Sequence, residues 1–125
     1  MSDRNLLARA FLALLWIDVR LAALGFRNLY ERVRRAKVKE TPGGPGMRAV
    51  VEAVDVASVL YFKPVRCLQR SAATVLLLRS CGTAAELVIG VQRWPLRAHA
   101  WVEVGGTAVN DRAHVAKTFA VIERC

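Results

Sequence analysis

The apolar periodicity of this chain changes from helical to strand-like at Gly82. Before that glycine, apolar residues recur at helical spacings; after it they come in short β-branched runs. Such a chain must lay a helical layer against a small sheet, so the expected fold class is α+β. The 125 residues leave room for one domain.

Residues 5–38 read as helix, because Leu7, Phe11, Leu14, Leu21 and Leu24 recur at spacings of three, four and seven. Gly25 is expected to bend or divide that helix. The stretch KETPGGPGM concentrates proline and glycine and reads as a linker over 39–48. An N-terminal helical arm (1–38) is thus separated from a body (49–125). In the body, Val50, Val54 and Ala57 with Leu60 or Tyr61 predict a helix over 49–61 that Pro64 ends. A second helix is expected from Cys67 to Ser80, with Arg79 on its apolar face and Gly82 as its cap. Strands are expected at Leu87–Val91, Ala98–Val104 and Thr107–Asn110, and a last helix over His114–Ile122.

Hydrophobic residues make up 54% and charged residues 23% of the chain, which excludes a disordered protein. The 19 basic and 10 acidic residues give a net charge of +9, so the surface attracts anions. The cluster Arg27, Arg32, Arg34, Arg35, Lys37 and Lys39 reads first as a solvated helix face, and no nucleic acid partner is expected. Phe11–Leu24 is broken by Asp18 and Arg20 and falls short of the ~18 apolar residues of a spanning helix, leaving peripheral membrane contact by the arm as the milder alternative. Three cysteines, at 67, 81 and 125, form neither a disulfide framework nor a zinc spacing. The expected location is cytoplasmic, and no metal or cofactor is expected.

Three residues carry the candidate chemistry. Cys67 opens a helix, whose N-terminal partial charge favours the thiolate, the form that attacks carbonyls. His99 begins one strand and Asp111 ends the next, so the acid could orient the imidazole. Two residues at the Gly105-Gly106 turn would pair Ala100 with Asp111 and turn His99 away; a three-residue connection, Val104–Gly106 with a bulge at Gly106, would pair His99 with Asp111. That bulge, or an equivalent, is the expectation. Each residue also has a plain reading: a buried thiol, a packed strand histidine, an Asx turn or N-cap. Their order, Cys on a helix start and then His and Asp on adjacent strands, is more specific than any of them. Trp101 and Glu103 share the His99 face by alternation, and Trp101 is expected to shield the site from water. Arg70 is expected to pair with Glu86 or Glu103 in preference to facing substrate. Trp94-Pro95 reads as a loop, and His114 as a weaker candidate than His99.

The segments CLQRS (67–71), ELVIGV (86–91), HAWVEV (99–104) and VND (109–111) resemble the catalytic domain of lasso peptide leader peptidases, the B-type maturation proteins of the transglutaminase-like superfamily. The likeness runs over most of residues 50–122, and the arginine-rich N-terminal helix is similar too. It implies a papain/transglutaminase-like cysteine peptidase core, with Cys67, His99 and Asp111 as the triad and no cofactor. The implied substrate is a precursor peptide. The fused members carry an extra leader-binding domain for which this chain has no room, so the resemblance implies a separate leader-recognition protein as partner, with a lasso cyclase acting next. Two alternatives stand beside it: a transglutaminase-like acyltransferase with the same triad, differing only in the acceptor that resolves the thioester, and a non-enzymatic basic module that binds nucleic acid or membrane.

Overall fold

The computed structural model describes residues 3–40, 44–93, 96–111 and 118–125. Three helices, α1 (Asp3–Arg35), α2 (Met47–Leu60) and α3 (Cys67–Ser80), precede four strands, β1 (Ala85–Gln92), β2 (Arg97–Val104), β3 (Thr107–Ala108) and β4 (Ala120–Arg124). The Trp94-Pro95 loop, His114 and most of the expected last helix lie outside the described residues.

Gly25 does more than bend α1. Its φ of 82° and ψ of 174° belong to a region that glycine alone enters readily, and the helix folds back there. Arg32 lies 5.9 Å from the Trp16 ring centroid and Arg20 Nε donates to Asn28 Oδ1 at 2.8 Å. In an unbroken helix positions 16 and 32 would stand about 24 Å apart. Both segments bury apolar residues in one cluster with the rest of the chain: Leu14 and Ile17 from the first, Leu29 and Val33 from the second, then Val54, Val75, Leu78, Leu87 and Val102.

The sheet order is β3-β2-β1-β4, with every pairing antiparallel. One face (Ala85, Leu87, Ile89, Ala100, Val102) joins the helices in the main core, and the other carries a second cluster of Val88 and Trp101 against Ala108 and Phe119. Arg79 ties the layers together. Its buried guanidinium donates from Nε to the Ala85 carbonyl (3.0 Å), from Nη1 to the carbonyls of Val33 and Ala36, and from Nη2 to that of Cys125 (2.9 Å). A cation placed in a core needs this degree of pairing.

Three expectations need correction. Residues 120–122 are strand, not helix: β4 takes its hydrogen bonds from β1, as in Gly90↔Val121 and Val91↔Ala120, a non-local pairing that helical periodicity cannot register. The β2–β3 turn has two residues, not three. Val104 pairs with Thr107 and Glu103 with Ala108, and Gly105 and Gly106 both have positive φ (60° and 82°), as a type I′ hairpin requires. Finally, β3 stops at Ala108 rather than Asn110.

Candidate active site

α3 begins at Cys67, where the sequence placed it. Arg66 caps it without a side-chain hydrogen bond, and the first turn contains no acidic residue. Among the described residues no side chain caps the first N–H groups of the helix, and no acidic residue of the first turn offsets their partial charge. Cys67 itself is half-buried and packs against the main core.

The two-residue turn ought to have separated His99 from Asp111, yet His99 Nε2 and Asp111 Oδ2 are in direct contact. Asn110 explains how. The ladder survives as far as Val109, whose N–H donates to the Val102 carbonyl at 2.9 Å. The next bond is made by a side chain: Val102 N–H donates to Asn110 Oδ1 at 2.8 Å. The main chain leaves the strand at this point, freeing Asp111 from strand alternation to reach His99. A side-chain acceptor thus replaces the expected bulge.

α3 runs parallel to β2. Ser71 Oγ donates to the Ala100 carbonyl at 3.1 Å, and Arg79 further along contacts Ala85, the partner of Val104. The Val102 amide and carbonyl both point to the edge of β2 away from β1, and alternation puts the Ala100 carbonyl on that same edge. Cys67, four residues before Ser71, stands about 6 Å further back, a length of about two strand residues. That is level with Ala98 and His99. The His99 ring, however, is on the sheet face away from α3, where its centroid lies 5.9 Å from Trp101 and 5.1 Å from Phe119. Among the described residues the structure brings His99 and Asp111 together, and Cys67 makes no hydrogen bond to either.

Trp101 shares the His99 face as alternation required, and is fully buried. Its Nε1 donates to Glu103 Oε2 at 2.8 Å, and Arg124 Nη1 donates to Glu103 Oε1 at 2.7 Å. Burial pushes the Glu103 pKa up, but the hydrogen bonds from Arg124 and Trp101 and the charge of Arg124 outweigh it, so the net shift is downward from 4.5. Arg124 also lies 3.9 Å from Glu86, so it, not Arg70, is the partner of both acids. Arg70 lies close enough to Asp55 of α2 to oppose the upward push that burial gives that carboxyl, and its Nε is buried without a hydrogen-bond partner among the described residues. Phe119, against the imidazole, was not singled out by the sequence: its contact depends on where the chain returns after residues 112–117. Among the described residues no group of three His, Cys, Asp or Glu side chains could hold a metal ion, and no helix is long and apolar enough to cross a membrane.

The profile of the Transglutaminase-like superfamily matches residues 11–124. The chain belongs to that superfamily. This agrees with the α+β architecture, a cysteine-headed helix against an antiparallel sheet. A stretch of 56 residues, 45% of the chain, is 43% identical to the microcin J25-processing protein McjB of Escherichia coli. The match covers 27% of McjB, so the chain aligns with about a quarter of this curated member's length. No solved structure matches the chain significantly.

Proposed function

We propose that the protein is a cysteine peptidase that removes the leader from a lasso peptide precursor, with Cys67 as nucleophile, His99 as general base and acid, and Asp111 as the group that orients the histidine. The observation that carries this reading is the His99–Asp111 contact, held beside the edge of β2 that α3, with Cys67 at its head, lies along. Superfamily membership and the identity to a peptide-processing protein support it. The substrate is the precursor peptide, delivered by a separate leader-recognition protein, and the freed core then passes to a cyclase.

Under this reading the two ring nitrogens have different roles. With Nε2 engaged by Asp111, Nδ1 is the nitrogen that exchanges a proton with the thiol. Asp111 fixes that tautomer and stabilises the imidazolium once it forms. The Cys67 thiolate attacks the carbonyl of the last leader residue, and the oxyanion finds free N–H donors at the uncapped start of α3. The imidazolium gives its proton to the leaving amine, and the C–N bond breaks. Water, deprotonated by His99, then hydrolyses the thioester, restoring the thiol and releasing the leader acid. The proton passes once the sulfur has closed on Nδ1 around the edge of β2.

The test is cleavage of a lasso precursor in the presence of its recognition protein, comparing the parent with Cys67→Ala, His99→Ala and Asp111→Ala. Loss should be near-complete for the first two and at least about tenfold for the third. Equal cleavage by all four proteins would remove the triad. Product masses separate hydrolysis from transfer to an amine, since water leaves a free leader acid and transfer leaves an adduct.

A further inference from the structure

Each of the three reacting groups proposed above is carried by a different segment, and one pair of polar side chains joins all three segments. Ser71 is fully buried in α3, one turn after Cys67. Its hydroxyl donates to the Ala100 carbonyl at 3.1 Å, next to His99, and accepts from Asn110 Nδ2 at 3.0 Å, next to Asp111. Asn110 Oδ1 in turn accepts the Val102 N–H at 2.8 Å. These bonds set the helix against the edge of β2, beside the apolar packing that Val102 shares with Val75 and Leu78 of α3 in the main core.

We infer that Ser71 and Asn110 are positioning residues that hold Cys67, His99 and Asp111 in mutual register, an inference that rests on the peptidase reading. Neither side chain touches the reacting atoms. Their effect passes through the helix and the strand, and it matters because an error of about 1 Å between nucleophile and base can cost on the order of a hundredfold in rate. Burial strengthens the arrangement on the Ser71 side: its hydroxyl, cut off from water and held by the half-buried Asn110 amide, has few other partners to slip to.

The test reads the thiol–imidazole pair directly, without a peptide substrate. Alkylation of Cys67 by iodoacetamide, followed site by site with mass spectrometry from pH 5 to 9, should show an acid plateau in the parent that vanishes in His99→Ala. In Ser71→Ala and in the isosteric Asn110→Asp, which keeps the Val102 bond but loses the donor to Ser71, the plateau should fall by about tenfold while the alkaline limb stays. The double variant should lose little more than either single one. Circular dichroism melting reports folding in parallel. A parental plateau in either folded single variant would overturn the inference. So would loss of the fold in both, since the pair would then be a general structural peg. A parent without a plateau that depends on His99 would instead overturn the triad.

Discussion

Around His99 the packing turns on one hydrogen atom. Gly90 is its cross-strand partner, and a Cβ added there would lie 2.8 Å from the Trp101 ring and 2.9 Å from Phe119 Cβ, both well inside contact distance. Gly90→Ala should therefore displace the two aromatic groups that pack against the imidazole. We expect a stability loss of about 1–3 kcal/mol by urea unfolding, and a weaker acid plateau in Cys67 alkylation. Glu103, further along the same face, predicts a pH dependence. Its folded pKa is depressed, so its stabilising contribution is complete above the ordinary value of 4.5 and is lost as pH falls through the depressed value. Melting temperatures of the parent and Glu103→Gln should differ most near neutral pH and converge as the pH falls from 4.5 through the depressed value; a constant gap would refute this. At this scale the sequence told much about residue types and little about contacts. Cys67, His99 and Asp111 stand out by chemistry and order, and Trp101 by alternation. Asn110 read only as the end of a strand, because the service of its side chain as an acceptor for Val102 is visible only once the main chain's departure is known.

Helix α3 was legible to its ends, since a cysteine-to-serine stretch with uninterrupted helical spacing and a following glycine leaves few options. The two elements that were misread both depend on distant partners. β4 exists because β1 offers it an edge, and the short β3 ends because Asn110 takes over the Val102 amide. The fold-back in α1 was only half legible: glycine signals a break, but the direction of the chain after it is decided by Leu29 and Val33 finding the core. An alanine at 25 would meet no neighbouring atom within 4 Å, so its cost is backbone strain alone. Gly25→Ala should lower stability by about 1–3 kcal/mol in thermal or urea unfolding, with alkylation of Cys67 unchanged in the folded protein. A neutral result would show that the hairpin does not need the unusual backbone angles.

Across the molecule the helical layer and the sheet share a single apolar cluster, while most of the basic residues stay at the surface. The sequence's division into arm, linker and body follows the glycine and proline content, and it leaves open what the first part does. Leu6, Ala10, Leu14 and Ile17 are all but fully buried, as are Leu29 and Val33, and the buried Arg79 guanidinium grips the Val33 and Ala36 carbonyls. Trimming the chain to start at Met47 would uncover Val50, Val54, Ala57 and Leu78 and leave that guanidinium with fewer acceptors. We expect such a shortened protein to accumulate in inclusion bodies, or to give a featureless circular dichroism melt, instead of folding as a smaller unit. Residues 3–35 are the lid of the box, so attempts to graft the proposed chemistry onto another scaffold, or to shorten it for use as a tool, would have to carry them along.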